Sequence, residues 1–431
     1  MRLIALFCLL VVSYSAYAED RLVVISPHRK SLQEAFIPAF KTYYKKKFGT
    51  DVLVDWLDQG GTSDDMRFIR SKFAKNPKTS GLDVFWGGGA AVYLDLHEEG
   101  LLAPYKLTTA QRAELPKDAS GIPLTNENET FHASAMSSFG IFYNKKILAF
   151  DGLKAAQKWD DLASAELFDN ISLADPRRSG SANTMNNIIL QSLGWEKGFE
   201  VLTAIGGNAR SFTHSSSDPI KAVVAGDVAM AMAIDFYALA KIDELGHNNL
   251  GLTLPDGQTV LDPDPIAILK GAPNRKVAER FVDFVLSSTA QKVLILPKGA
   301  PSGPKGQSIG RFAVNRKSYQ ETNGKRLNPI NPFDAKGFFK YDAHKAGAMQ
   351  KILNDLMGAM IVDNHASLKR AWQKVIKDGV TPEELSRIGK VPVSEAEFLK
   401  LSERWSDDVF RNRVINEWVE FARKKYQALA H

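Results

Sequence analysis

Cysteine is almost absent from the sequence. The 431-residue chain has one cysteine, Cys8, and it lies in an apolar N-terminal segment. We expect residues 1–18 to be a cleaved signal peptide, because Arg2 precedes a short apolar run and Ala16 and Ala18 supply the small residues needed before a cut. Loss of this segment leaves no disulfide and no thiolate for catalysis or metal binding.

Long hydrophobic runs are also missing. The N-terminal apolar run, residues 3–12, is shorter than the roughly 20 residues that span a bilayer, and no later segment is both apolar and longer. Cys8 lacks the preceding small residues of a lipoprotein signal, so we expect no lipid anchor. The sequence therefore predicts a protein that is exported to the periplasm, with cleavage after Ala18.

Signatures of enzymes and of nucleic-acid binding are absent. The chain has no G-x-S-x-G elbow, no H-E-x-x-H pair and no Walker loop, and its histidines are scattered without metal-ligand spacing. The net charge is only +6, and basic residues alternate with acidic ones, so no nucleic-acid partner is expected. We expect a binding protein without cofactor or catalytic residues, and an exported hydrolase is the alternative from another class.

What the sequence does contain is a repeated order of strands and helices, which predicts an α/β fold with mainly parallel sheets. The first strand, RLVVIS, is followed by a helix that we expect to begin at Ser31, because Ser31 and Glu34 have the spacing of a capping box. The strands DVLVDWL and LDVFWGGG follow, each with a helix after it. This pattern is typical of a domain whose ligands bind at the carboxyl ends of the strands.

A second α/β unit and a return to the first are predicted further along the chain. We expect lobe 1 to comprise residues 19–137 and 262–330, lobe 2 residues 138–261, and a helical C-terminal extension residues 331–431. Two lobes joined by crossover strands enclose a cleft, which is the natural ligand site.

The loops after the predicted strands carry the candidate ligand contacts. Unpaired amides and the positive end of a helix dipole suit an anion at the Ser-Gly-Ser loop, and a guanidinium assists such binding. The candidate contacts are Ser26, His28, Arg29, Gly61, Thr62, Gly88, Gly89, Ser179, Gly180, Ser181, Asn183, Asp235 and Tyr237.

Each candidate also has a structural explanation. For Arg29 the alternative is a solvated side chain, since arginine is mostly exposed. The glycines are the usual residues of tight turns. Ser179 and Asn183 are preferred helix caps, and Asp235 either caps the next helix or binds an amine or hydroxyl of a ligand.

The motifs as a group resemble those of a known family. They are LVVISPH, SGLDVFWGGGAAVYLDLHEEGLLAPY, SSFGIFYNKKIL, ISLADPRRSGSA, VVAGDVAMAMAIDFYA and PIAILKGAPN, followed by FVDFVLSSTAQKVL. The chain resembles the extracellular solute-binding proteins of ABC transporters, in particular the ferric-iron-binding branch of the two-lobed type II periplasmic binding fold. The resemblance covers roughly residues 21–294.

The resemblance implies a ligand class as well as a fold. Iron binders of this branch use two adjacent tyrosines and a synergistic anion held by a Ser-Gly-small loop. Here the tyrosine pair is Phe236-Tyr237, while Ser179-Gly180-Ser181 keeps the anion loop. Ferric iron needs several anionic oxygen ligands, so the loss of one tyrosine argues against iron. Relatives of the same branch bind phosphonates or sugar phosphates directly, and a kept anion loop with a lost iron ligand resembles them. The resemblance therefore favours a receptor, expected to be a monomer, for a small anionic solute that contains phosphate or phosphonate. This receptor is expected to dock on an inner-membrane ABC permease. Ferric iron, with Tyr237 as a ligand, is the alternative.

Overall fold

The computed structural model describes residues 19–119 and 122–430. The predicted signal peptide lies outside these residues. The strands of the described part are β1 (Asp20–Ile25), β2 (Val52–Leu57), β3 (Val84–Trp86), β4 (Leu102–Ala103), β5 (Asp118–Ala119), β6 (Ile122–Pro123), β7 (His132–Ser137), β8 (Phe139–Asn144), β9 (Ile171–Ala174), β10 (Ala209–Thr213), β11 (Met230–Ile234), β12 (Leu250–Thr253) and β13 (Asp262–Leu269).

The helices make up most of the remaining structure. They are α1 (Lys30–Phe48), α2 (Thr62–Lys75), α3 (Ala90–Glu98), α4 (Thr109–Glu114), α5 (Lys145–Asp151), α6 (Gly180–Leu193), α7 (Trp195–Asn208), α8 (Asp218–Ala225), α9 (Asp235–Leu245), α10 (Arg275–Leu286), α11 (Ser288–Ile295), α12 (Arg316–Glu321), α13 (Ala343–Met357), α14 (His365–Asp378), α15 (Pro382–Gly389), α16 (Glu395–Leu401) and α17 (Asp408–Leu429). Short 3₁₀ turns cover Trp159–Ala163, Ala165–Leu167 and Ser402–Arg404, and a π-helical turn covers Gly358–Val362. No helix of the described residues is long and apolar enough to cross a membrane.

Two separate sheets form the two lobes. The first has the order β2-β1-β3-β13-β4, with β7 paired to β13, and the second has the order β10-β9-β11-β8-β12. β1 is parallel to β2 and β3, whereas the return strand β13 is antiparallel to its neighbours. The predicted type II α/β fold with two lobes is confirmed, and the boundaries that we gave to the lobes remain a proposal.

The chain crosses between the sheets at a narrow hinge. β7 belongs to the first sheet and β8 to the second, and only Ser138 separates them. On the return, the Thr259 hydroxyl donates to the Phe139 carbonyl at 2.7 Å and lies 3.1 Å from the Ser138 hydroxyl. A third crossing follows, where the Phe339 amide donates to the Thr259 carbonyl at 3.0 Å. The hydrogen-bonded crossings hold the two lobes side by side.

The first helix begins one residue before the predicted start. α1 starts at Lys30, and its N-cap residue Arg29 makes no side-chain capping bond. The predicted Ser31–Glu34 capping box is therefore wrong. The Arg29 carbonyl instead accepts hydrogen bonds from the amides of Leu32 and Gln33, and Glu34 pairs with Lys30 along the helix surface.

The C-terminal extension shares its core with lobe 2. A single apolar cluster joins strands β8, β9 and β11 and helices α6 and α7 to helices α13, α14 and α17. The contact depends on two glycines of α7: a Cβ at Gly206 would lie 2.5 Å from Ile361, and one at Gly207 would lie 2.6 Å from Trp372. The buried Trp372 indole also donates to Asn208 at 2.6 Å. The extension is thus part of the lobe rather than an appended domain.

The Gly207 contact gives a stability prediction. Replacing Gly207 with Ala pushes a methyl group into the Trp372 ring, and such overpacking costs about 1–3 kcal/mol. Gly347→Ala is the matched control, because Gly347 lies on α13 with nothing near its missing Cβ and alanine favours the helix by up to about 1 kcal/mol. Urea unfolding should show opposite signs for the two variants, and equal stabilities would contradict the packing.

Candidate functional site

Three loops of lobe 1 meet at the carboxyl edge of its sheet. They follow β1, β2 and β3, which are neighbouring parallel strands. A Cβ at Gly88 would lie 2.7 Å from the Thr62 methyl, and one at Gly87 would lie 2.6 Å from the His28 ring. Both glycines also have φ values near +100°, which side chains disfavour. The sequence thus uses glycine here so that the three loops can touch.

Ser26 and His28 lie inside this edge and are fully engaged. The His28 ring is 5% exposed, and its Nδ1 lies 3.0 Å from the Ser26 hydroxyl while Nε2 lies 2.6 Å from Asp264 Oδ2. Burial lowers the pKa of His28, although Asp264 acts in the opposite direction. A neutral ring that donates from Nε2 to Asp264 and accepts at Nδ1 fits these partners. Neither ring nitrogen is left for a ligand.

Asp264 gathers several groups around one buried carboxylate. Besides His28, it accepts hydrogen bonds from the Arg311 guanidinium and from the Gly89 amide, the latter at 3.3 Å. Although burial opposes ionisation, Arg311 and His28 hold the pKa of Asp264 well below its usual range. This cluster fixes the loop that carries Gly89 and the segment that carries Arg311.

Two guanidinium groups of lobe 1 reach across to aromatic rings of lobe 2. Arg29 lies over the Tyr237 ring with its Cζ 3.4 Å from the ring centroid, and Arg311 lies over the Phe236 ring at 4.2 Å. Such contacts between cations and aromatic rings stabilise by about 0.5–2 kcal/mol each. In this conformation the lobes are therefore in contact at the cleft, and both contacts bring positive charge to the start of α9.

The Ser-Gly-Ser loop forms the N-terminus of α6. The Ser179 hydroxyl caps the helix by accepting from the Ala182 amide at 3.2 Å, so its predicted capping role is observed. The amides of Gly180 and Ser181 occupy the first turn, where no helical carbonyl is available to accept from them. Ser181 is only half-buried, and the dipole of the 14-residue helix adds partial positive charge. This end of α6 is suited to an anion.

Asn183 is occupied by the C-terminal extension. Its side-chain amide donates to the Gln350 carbonyl at 3.0 Å and to Asn354 Oδ1 at 2.6 Å, and its oxygen accepts from Asn187 at 3.0 Å. All of its polar atoms have protein partners, so Asn183 is a structural residue here. We omit it, together with Ser26 and His28, from the proposed set of ligand contacts.

Asp235 opens α9 at the edge of the cleft, next to the hinge. Its amide donates to the Ser138 carbonyl at 2.9 Å, and its Oδ1 accepts from the Phe236 amide at 2.7 Å. Its Oδ2 is buried without a hydrogen-bond partner among the described residues. Burial raises the pKa of Asp235 to about 8, so the carboxyl is protonated at neutral pH and can donate a hydrogen bond.

The sequence reasoning missed three residues of this region: Asp262, Asp264 and Arg311. Asp262 and Asp264 both belong to β13, and burial raises the pKa of Asp262 to about 7. The strand DPDPIAIL contains two carboxylates among apolar residues. This pattern could have indicated buried carboxylates with partners, because charged residues are rarely buried unless they have one. Nothing in the local pattern around Arg311 marked it.

The remaining predicted contacts are distributed over both walls of the cleft. Arg29 and Tyr237 meet directly, Gly88 and Thr62 are adjacent, and Gly89 contacts Asp264. Gly61 serves as the N-cap residue of α2. Among the described residues, no group of three or more His, Cys, Asp or Glu side chains is arranged to hold a metal ion.

Comparison with known proteins identifies the family of this chain. The profile of the family described as bacterial extracellular solute-binding protein matches residues 80–317. A protein of Haemophilus influenzae without a stated function is 28% identical over 286 residues, covering 66% of this chain and 78% of that protein. The phosphoglycerate transport regulatory protein PgtC of Salmonella typhimurium is 28% identical over 162 residues, which is 38% of this chain but only 40% of PgtC.

Solved structures show the same fold at low sequence identity. The periplasmic binding protein P5PA is 23% identical, with a TM-score of 0.62 over 80% of this chain and 100% of its own. AfuA of Actinobacillus pleuropneumoniae, solved with fructose-6-phosphate, is 22% identical, with a TM-score of 0.60 over 84% of this chain and 100% of its own. Iron-bound HitA of Pseudomonas aeruginosa is 18% identical, with a TM-score of 0.56 over 82% of this chain and 99% of its own.

The buried Asp235 carboxyl gives a pH prediction. Its pKa is about 8 in the folded protein and about 4 in an unfolded chain. Its contribution to stability is therefore complete below about pH 4 and is lost as the pH rises towards about 8. We expect the free energy of unfolding of Asp235→Asn to fall less between about pH 5 and about pH 8 than that of the wild type.

Urea denaturation at the two pH values measures this difference. Asp264→Asn is the matched control, because the pKa of Asp264 is lowered in the folded protein whereas that of Asp235 is raised. It should be less stable than the wild type at both pH values. Parallel pH profiles for the wild type and Asp235→Asn would contradict the burial of a protonated carboxyl.

Proposed function

Because the chain belongs to the family of bacterial extracellular solute-binding proteins, we propose that it is the receptor of an ABC importer for a small anion that contains phosphate or phosphonate. The observation that carries this proposal is the N-terminus of α6. The free amides of its first turn and the helix dipole attract an anion, and Arg29 of lobe 1 supplies positive charge where it lies over Tyr237 of α9.

The second part of the ligand lies towards the hinge. β9 and β11 are adjacent and parallel, so the loop that leads into α6 and the start of α9 are side by side. Asp235 and Tyr237 are the side chains that read this part of the solute. A protonated Asp235 is both a donor and an acceptor, which suits a hydroxyl group.

Capture proceeds by closure of the lobes around the bound anion. Arg29 exchanges its contact with Tyr237 for a charge-assisted hydrogen bond to the anion, which is a stronger interaction. The hinge at Ser138 accommodates the movement of one lobe against the other. The closed receptor, acting as a monomer, then docks on the inner-membrane permease.

Ferric iron is the alternative ligand because several structural neighbours bind it by name, HitA among them. The charges at the start of α9 oppose it. Phe236 replaces one tyrosine of the pair, and each ring of the Phe236-Tyr237 pair faces a guanidinium rather than free space. A trivalent cation next to two arginines, with one phenolate instead of two, is electrostatically unfavourable.

Export completes the proposal. The family is extracellular by its description, and we infer cleavage after Ala18, so that the mature protein begins at Glu19 in the periplasm. The intact mass of the protein isolated from the periplasm measures the position of the cut.

A ligand panel tests the function directly. We expect calorimetry to show saturable binding of at least one of fructose 6-phosphate, 3-phosphoglycerate and inorganic phosphate, without release of product from the esters. Ferric citrate is the comparison ligand. Binding of iron alone, with a visible tyrosinate-to-iron absorption band, would favour the iron alternative, and hydrolysis of an ester would favour an enzyme.

A charge introduced at Ser181 tests the anion site. In Ser181→Asp, a carboxylate in the first turn of α6 repels the bound anion, and we expect affinity to fall at least tenfold, or about 1.4 kcal/mol. The same carboxylate interacts favourably with the helix dipole, so the melting temperature of the variant should not fall. Ser192→Asp is the control, because it places the charge at the opposite end of α6. It should lower the stability slightly and leave the affinity unchanged, and equal affinities for the two variants would contradict the site.

A further inference from the structure

The C-terminal extension contacts the anion loop through a helix pair. α13 runs antiparallel to α6 and begins beside its C-terminal end. There the Gln191 side chain donates to the Asp342 carbonyl at 3.0 Å, and the Asp342 amide donates back to Gln191 at 2.9 Å. This first tether is about two helical turns beyond Asn183 along α6, so it is remote from the loop.

The second tether lies one turn into α6. Asn183 is 3% exposed, and it donates to the Asn354 side chain and to the Gln350 carbonyl, both on α13. Asn183 lies two positions after Ser181 on the same first turns of the helix. A shift of α13 along α6 therefore moves the amides that face the anion.

The third tether holds the loop itself. Arg177 donates to both oxygens of Asp175 at 2.8–3.2 Å, and its other nitrogen reaches Asp363 at 3.0 Å. The Asp175 carbonyl in turn accepts from the Ser179 amide at 3.0 Å. Through this chain of bonds, Asp363 of the extension sets the position of the helix cap.

The backbone after α13 is shaped for this contact. A π-helical turn, Gly358–Val362, carries the chain from the end of α13 to Asp363. A Cβ at Gly358 would lie 2.9 Å from Arg177 Nη1 and 3.1 Å from its Cζ, so a larger residue would displace the guanidinium from its present position. π-Helical turns are rare and frequently occur at functional sites.

We propose that the C-terminal extension is a positioning element of the anion site, in which Asp363 and Asn354 hold the loop at residues 175–179 and the first turn of α6 in the binding conformation. The predicted effect on affinity rests on the proposed function, whereas the predicted effect on the position of the loop does not. A loop that occupies its binding conformation only part of the time binds with correspondingly lower affinity. The extension thus raises affinity without touching the ligand.

Two variants and one matched control test this role. Asp363→Ala removes the third tether and leaves the Arg177–Asp175 pair intact; since Asp363 is 41% exposed, folding should be preserved. Asn354→Ala removes the side-chain bond of the second tether and leaves the bond from Asn183 to the Gln350 carbonyl. Gln191→Ala removes the remote one, on the same helix pair. Amide hydrogen exchange of residues 175–183 and affinity for the anion identified by the ligand panel are both measured.

We expect both variants to speed exchange in residues 175–183 and to weaken binding at least about fivefold, with Asp363→Glu restoring both. Gln191→Ala should leave both unchanged, whatever its melting temperature. Unchanged exchange in Asp363→Ala and Asn354→Ala, or an equal effect of Gln191→Ala, would overturn the proposal. If the wild type binds none of the panel anions, the proposed function fails, and the exchange measurement still decides whether the extension positions the loop.

Discussion

One buried carboxylate, that of Asp264, joins the parts of lobe 1 that face the cleft. It lies in the return strand β13. It accepts hydrogen bonds from His28 in the loop after β1, from the Gly89 amide in the loop after β3, and from the Arg311 side chain. Removing it would leave a buried guanidinium without its charge partner, which costs several kcal/mol. Two loops of this wall therefore depend on the return strand β13 for a buried hydrogen-bond acceptor. This dependence joins the hinge, the wall and the cross-lobe contact of Arg311 with Phe236 in one structural unit.

The local sequence pattern was enough to predict the fold, but it was not enough to predict which side chains contact each other. Alternating strands and helices predicted the two α/β lobes, and small residues before a helix predicted the cap at Ser179. We predicted that His28 and Asn183 contact the ligand. Their protein partners, Asp264 and Asn354, lie 236 and 171 residues away in the sequence, and a local pattern gives no information over such separations. The capping box at Ser31 failed for a local reason, since the helix starts one residue earlier.

The C-terminal extension enlarges the core of lobe 2 beyond the part of the chain that matches the family profile. The family profile ends at residue 317, yet the apolar core of lobe 2 continues into helices up to α17. Gly206 and Gly207 make this possible, because larger residues would keep Ile361 and Trp372 off α7. The shared core adds buried contacts on the side of the lobe that carries α6, and regions with more buried contacts open less readily.

The distribution of charge along the cleft favours one orientation of an anionic ligand in the proposed receptor. Near the hinge, burial raises the pKa of Asp235 to about 8 and that of Asp262 to about 7. A nearby anion would raise both pKa values further, because it disfavours another negative charge. An anion placed there would gain nothing from them beyond a hydrogen bond. At the first turn of α6, in contrast, an anion meets free amides and a helix dipole. The phosphate group is therefore expected at α6 and the uncharged, hydroxyl-bearing part at the hinge. The same distribution is unfavourable for a ferric ion, because Tyr237 is the one phenolate of the Phe236-Tyr237 pair and both rings are faced by arginines.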